Sequence, residues 1–203
     1  MFILASQSPR RKELLGLLNI PFTVRVADID ETMDSSLSVA DAVAQLSRRK
    51  AEAISREDTD IVIAADTVVV SDGKVLGKPI DEADAFAMLS QLSGHQHQVM
   101  TGLTVLQGEK AISHTEITDI FFRQLTEKEI RAYIATGDPM DKAGSYGIQN
   151  GAALFVESGV HTKRKSPTIP LPKKESSHAV VRRSVFRMSK RKRRCESTCN
   201  PLS

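Results

Sequence analysis

The stretch that decides the fold is Ile61-Val62-Ile63-Ala64-Ala65-Asp66-Thr67-Val68-Val69-Val70. Apolar residues run without interruption into an acid and a hydroxyl, and three valines then lead to a Ser71-Asp72-Gly73 turn. A run with no polar face has to be covered on both sides, which is the pattern of a central strand. Asp66-Thr67 at the end of the first apolar run marks a functional C-terminal end, where open α/β sheets place their ligands.

The neighbouring segments supply the partners of that strand. Upstream, Phe2 to Ala5 reads as a short buried strand, and Ser6-Gln7-Ser8-Pro9 as a turn with Pro9 suited to the first turn of a helix. Arg10 to Leu18 follows as a helix with Leu14, Leu15, Leu17 and Leu18 on its apolar face, then Phe22 to Ala27 as a strand. Ser38 and Asp41 form a capping-box pattern for a helix reaching about Ile54, with Val39, Val43 and Leu46 inward. Downstream, Asp81 to Leu92 reads as a helix. His97 to Leu106 and Ala111 to Phe122 read as long strands, antiparallel across Gln107-Gly108-Glu109. Thr126 with Glu129 is a second capping box, for a helix stopping at Gly137, and Ala152 to Val156 reads as a last short strand. Units of βα type mixed with a hairpin point to an α/β fold with a mixed twisted sheet flanked by helices, not a strict Rossmann fold.

The 203 residues are 40% hydrophobic and 26% charged, which excludes wholesale disorder. No apolar run approaches the roughly 20 residues of a spanning helix. Met1 to Ser6 lacks a basic n-region, so no signal peptide and no membrane partner are expected, and the expected location is cytoplasmic. The net charge of +3 hides an asymmetry: residues 1–159 carry 15 Lys/Arg against 23 Asp/Glu, residues 160–203 carry 13 against 2. An acidic body must meet an anionic ligand with specific local cations. Residues 1–159 are therefore expected to be the folded domain and residues 160–203 a basic, disordered or poorly packed tail. Nucleic-acid contact through Lys190 to Arg194 is the less favoured reading, because such runs are more often solvated tails. Cys195 and Cys199 read as tail thiols.

Four clusters could carry chemistry. Ser6 to Lys12 combines hydroxyls, guanidinium groups and a helix start, which suits a phosphate cradle as well as it suits a solvated helix end. Asp66-Thr67 offers a carboxylate for a divalent cation or a general base, against a capping role; Asp30-Glu31 offers another carboxylate pair, or an exposed acidic loop. Gly77-Lys78-Pro79 presents one lysine from a tight turn that lacks the Walker pattern. Asp141 to Gln149 holds glycines, an acid, a base and an amide within nine residues, which suits a ligand loop. His95 and His97 have no further ligands at zinc spacing and read as loop or strand-surface residues.

In combination and order, LASQSPRRKELL (4–15), IAADTVVV (63–70), LGKPID (76–81), MLSQLSGHQHQVMTGL (88–103) and PMDKAGSYGIQ (139–149) resemble the Maf family of nucleotide pyrophosphatases. The last motif is similar to that of the subgroup acting on dTTP and UTP. The resemblance covers about residues 2–157 and implies a Maf/ITPase-like fold. It also implies hydrolysis of a nucleoside triphosphate to monophosphate and pyrophosphate with Mg²⁺ or Mn²⁺, and a homodimer. On the matching positions, Asp66 resembles the catalytic proton acceptor, and Arg10, Thr67 and Gln149 the positions that set pyrimidine specificity. Ser6, Arg11, Lys50, Lys78 and Lys142 resemble phosphate-binding or supporting groups, and Glu31 joins Asp66 as a metal ligand. An alternative implied by the same family is a catalytically weak regulator of cell division and septum formation.

The chain departs from the family after Phe155-Val156-Glu157. Relatives continue into a Gly-x-Tyr turn, a Val-Val-Gly-Leu-Pro strand and a closing helix; here the sequence turns basic from Lys163. At about 25 cal/mol per Å², uncovering several hundred Å² of sheet costs on the order of 10 kcal/mol, comparable to a whole domain's stability. Lower stability than that of complete family members is therefore expected.

Overall fold

The structure is a computed structural model that describes residues 1–149 and 151–162. The expectations for the basic tail beyond these, including Lys190 to Arg194 and both cysteines, lie outside the described residues. Among the described residues, seven strands form one mixed sheet flanked by four α-helices. The strands are β1 (Phe2–Ala5), β2 (Phe22–Val24), β3 (Ile61–Ser71), β4 (Lys74–Leu76), β5 (Gln96–Gln107), β6 (Lys110–Phe122) and β7 (Val156–Thr162). The helices are α1 (Pro9–Gly16), α2 (Val39–Glu52), α3 (Glu82–Leu92) and α4 (Glu127–Ile134). The strand order is β2-β1-β3-β5-β6-β7, with β4 added to β3.

Two kinds of connection explain the mixed sheet. Helices α1 and α2 bridge β1, β2 and β3, and crossovers of that length return the chain parallel, as these strands are. A two-residue turn joins β5 to β6, which makes that pair antiparallel, while β5, reached from β3 through β4 and α3, runs antiparallel to β3 as well. Gly108 at the β5–β6 turn sits at φ +53, a conformation side chains rarely adopt. β3 lies at the centre, as its apolar run requires.

Helix α2 covers one face. Ser38 caps it by accepting from the Asp41 N–H at 3.2 Å while donating to the Asp41 carboxylate at 2.6 Å. Its Val43 and Leu46 are buried and Val39 is half-buried. The closest approach is at Gly102 on β5, directly opposite Asp66 in the register. A Cβ at Gly102 would lie 2.4 Å from the Val43 carbonyl oxygen, so only glycine lets the helix seat there. A buried hydroxyl chain ties the same layers: Ser47 Oγ lies 2.7 Å from Thr104 Oγ1, which lies 2.8 Å from Ser113 Oγ. On the other face, α3 and α4 pack against Val69, Ile120 and Phe122 through Leu89, Leu92, Ile130 and Tyr133.

Several expectations are corrected. Of the leucines assigned to the first helix face, only Leu15 is buried; Leu14, Leu17 and Leu18 are exposed, the last two beyond the end of α1 at Gly16. β2 stops at Val24, and β4 was not anticipated because three residues carry no periodicity of their own. Ala152 to Val156 is not a strand: Gly151–Phe155 is a 3₁₀ turn that buries Ala152 and Phe155 in the α3/α4 core. The last strand is Val156–Thr162, an edge partner of β6 made by backbone pairing, for which the side chains give little signal. No helix among the described residues is long and apolar enough to cross a membrane.

The Gly102 contact gives a direct test. Gly102→Ala is expected to lower unfolding free energy by about 1–3 kcal/mol through overpacking against α2. Urea denaturation of the two proteins measures it, and equal midpoints would show that α2 shifts without cost.

Candidate active site

The sheet itself makes the site. β1 pairs with β3 only as far as Ala5 opposite Ala64, and β4 joins that same edge only from Val69 onward. Between Ala65 and Val68 the edge of β3 therefore has no strand partner among the described residues. Where β1 ends the chain turns into Ser6-Gln7-Ser8 and α1, which directs Arg11 into this interval. Arg11 Nη1 donates to the Ala65 carbonyl at 2.7 Å, where a strand would otherwise have donated.

Strand alternation then sends Asp66 and Thr67 to opposite faces. On the α2 face, Lys50 Nζ lies 2.6 Å from Asp66 Oδ1 and 2.9 Å from Glu31 Oε1, bridging the two acids. The Lys50 and Asp66 side chains are only 16% and 13% exposed, so water screens this pair far less than a surface pair. Glu31 sits in the loop after β2, held to α2 by Arg49 Nη2 donating to the Thr32 carbonyl at 2.7 Å. Asp30 closes a local turn by accepting from the Thr32 N–H and hydroxyl at 2.8 and 2.6 Å. Its carboxyl is held below the usual carboxylate range, first by the Thr32 hydroxyl.

On the opposite face, Thr67 Oγ1 accepts from Arg11 Nη2 at 3.1 Å and lies 3.1 Å from Thr101 Oγ1. Arg11 Nη1 also reaches Ser6 Oγ at 3.3 Å. Burial pulls the Arg11 guanidinium below the ordinary arginine value, with Asp66 and Glu31 acting in the opposite direction. Ser6, Arg11 and Thr67 are thus joined by hydrogen bonds, and Glu31, Lys50 and Asp66 by ion pairs. Two cations face two carboxylates, so the cluster alone is electrically balanced.

The remaining sequence-predicted residues are placed differently. Arg10 pairs with Glu13 at 3.1 Å on α1. Lys142 bonds the Asp138 carbonyl and Asp141 Oδ1, both at 2.7 Å. Lys78 and Gln149 are exposed. Their loops are nevertheless docked together, because the Gly144 N–H donates to the Gly77 carbonyl at 2.9 Å. Gly144, at φ +65, lies so close over Val69 that a Cβ would fall 2.8 Å from its side chain. Val69 and Thr67 share a face of β3 about 7 Å apart along the strand, which sets this loop beside Arg11 and Thr67.

His97 is a correction: it is buried and does not lie on the strand surface. Its Nε2 is 2.8 Å from the Tyr146 hydroxyl, and both rings pack edge-on with Phe122. Burial pulls its pKa down to about 4. Alternation along β5 could have located it, since Val99 and Thr101 share its face. Thr101 and Tyr133 were also missed, as single hydroxyls in strand and helix carry no motif.

The family model described as Maf-like protein matches residues 1–165. A dTTP/UTP pyrophosphatase of Bacillus cytotoxicus is 50% identical over 157 residues, covering 77% of this chain and 82% of that protein. A dTTP/UTP pyrophosphatase of Bacillus cereus is 47% identical over 156 residues, covering 76% and 82%. Among solved structures, a HAM1 protein from Coxiella burnetii is similar with a TM-score of 0.45 at 14% identity, over 75% of this chain and 90% of that one.

The buried imidazole sets a pH dependence. Its folded value of about 4 lies below the ordinary 6.5, so on acidification the unfolded chain takes up this proton first. The contribution is intact above about pH 6.5 and is lost progressively as pH falls toward about 4. Over that window the melting temperature should fall more steeply for the parent than for His97→Gln, which can still bond Tyr146. Parallel curves would mean that His97 ionises without penalty.

Proposed function

The chain belongs to the Maf family, and from that premise we propose that it hydrolyses dTTP and UTP to the monophosphate and pyrophosphate. It is a nucleoside triphosphate diphosphatase. The observation that carries the chemistry is the Asp66 carboxylate, paired with Lys50 at 2.6 Å and within electrostatic reach of Arg11, at the unpaired stretch of β3. In this reading a water oxygen attacks the α-phosphorus, the bond from that phosphorus to the bridging oxygen breaks, and pyrophosphate leaves. Asp66 accepts the proton that the water gives up.

The other residues hold charge. Lys50 transfers its ammonium from the carboxylates to a phosphate oxygen, which leaves an Asp66 oxygen able to take the proton. Arg11 and Ser6 support the phosphates from the start of α1, Thr67 and Gln149 face the base with Arg10, and Lys78 and Lys142 add positive charge along the triphosphate. The balanced cluster cannot by itself neutralise a triphosphate inside an acidic domain, so further cations are required.

A divalent cation, Mg²⁺ or Mn²⁺, fits that requirement. Among the described residues no group of three or more His, Cys, Asp or Glu could hold a metal. Glu31 and Asp66 are nonetheless drawn to one cation, Lys50 Nζ, and Mg²⁺ is commonly held by one or two carboxylates plus substrate phosphates. When bound, the metal would supply Lewis-acid stabilisation of the phosphoryl oxygens. The family resemblance also supports a homodimer in the cytoplasm.

The test is pyrophosphate release from dTTP, UTP, CTP and 7-methyl-GTP with Mg²⁺ or Mn²⁺, beside Asp66→Asn. Release should favour dTTP and UTP and fall by about 10²–10⁴-fold in the variant, the range for losing a general base. Undiminished release from Asp66→Asn would remove that residue from the role. No release from folded protein would bring forward the regulatory reading.

A further inference from the structure

Tyr133, on the last turn of α4, joins more of the ligand loop than any packing role requires. Its hydroxyl donates to Asp138 Oδ2 at 2.5 Å and accepts from the Gly147 N–H at 3.1 Å. Burial, and after it the bond to Asp138, pushes this phenol above its ordinary value, so it stays protonated as that donor. Its ring stacks edge-on against Phe155 at 5.2 Å and lies beside Gly151, where a Cβ would be 3.5 Å from the ring. One side chain therefore holds the backbone at Gly147 by a hydrogen bond and lies beside Gly151, on either side of Ile148-Gln149.

A second set of contacts closes around the same point. Asp138 Oδ1 pairs with Lys142 Nζ at 3.2 Å, and Lys142 lies over Gly147 so tightly that a Cβ there would fall 2.8 Å from its Cε. Tyr133, Asp138, Lys142 and Gly147 thus form a closed ring of contacts. Ser145, at φ +60, and Gly144, at φ +65, hold the preceding turn in the left-handed region. At Ser145, which carries a Cβ, such a conformation persists only where the surroundings over-determine it. Gln149 itself is exposed, so what these anchors can set is the position of its backbone.

We propose that Tyr133 is a positioning residue for base discrimination: its hydroxyl pins Gly147 and its ring backs Gly151, aiming Gln149 at the pyrimidine edge. This inference rests on the reading of Gln149 as a specificity residue. Phenylalanine would keep the ring and lose both hydrogen bonds, freeing Gly147 while leaving the core packed. Lys50, Arg11 and Asp66 would be untouched, and any effect passed to the triphosphate through Asp138 and Lys142 would act on every nucleotide alike, so the selective loss should fall on the choice of base.

Tyr133→Phe should lower the ratio of kcat/KM for dTTP to that for CTP about three- to tenfold, mainly by raising KM for dTTP. A merely structural role would scale both nucleotides together and leave the ratio unchanged, even if part of the protein misfolded. The ratio of Kd values for dTMP and CMP, by calorimetry, gives the same comparison without turnover. Gln149→Ala should lower the ratio as well, and Tyr133→Phe added to it should lower it no further. If Gln149→Ala lowers the ratio and Tyr133→Phe does not, Tyr133 has no positioning role. An additional loss in the double variant would likewise overturn action through Gln149. If Gln149→Ala leaves the ratio unchanged, the specificity reading of Gln149 falls, and this inference falls with it.

Discussion

Backbone pairing along one edge of β3 governs the rest of the molecule. β1 stops opposite Ala64 and β4 starts opposite Val69, so the intervening backbone must find other partners. Buried peptide groups are costly when unpaired, and Arg11 answers this for the Ala65 carbonyl. A guanidinium anchored there has donors to spare, two of which reach Ser6 and Thr67. Within the same unpaired stretch lies Asp66, a carboxylate in the middle of a central strand.

Charge balance follows from that geometry. Asp66 is mostly buried, and a buried carboxylate requires a counter-charge. Lys50 provides it and also binds Glu31, so the resting cluster holds equal numbers of cations and anions. Such a balanced cluster can exchange partners, because an added anion would compete for its cations and an added cation for its acids. The helix that carries Lys50 can take part only because Gly102 lets it sit directly on β5 opposite Asp66. Packing and chemistry therefore meet at one register position of the sheet.

Much of this was legible in the sequence, for local reasons. The apolar run of β3, the capping patterns of α2 and α4, and the turn at Gly108 are decided by residues close in the chain. Where the signal was short or depended on distant backbone, it failed. β4 and β7 exist because neighbouring strands offer hydrogen bonds, and the apolar residues Ala152 and Phe155 serve a 3₁₀ turn packed in the core. His97 went unrecognised because its burial is decided by Phe122 and Tyr146, residues far along the chain.

By itself the sequence determined the class of fold, the family and the residue types available for phosphate and metal chemistry, because motifs and periodicity are properties of contiguous chain. Only the tertiary structure decided how those residues combine. It joined Arg11 to Thr67, drew Glu31 and Asp66 onto Lys50, gave Lys142 to Asp138 and Asp141, and set Tyr133 against Gly147 and Gly151. The physical reason is that ion pairs and hydrogen bonds form between atoms within about 3 Å of each other. Which distant residues come that close is settled by strand register and helix seating, and no single segment of the chain contains either.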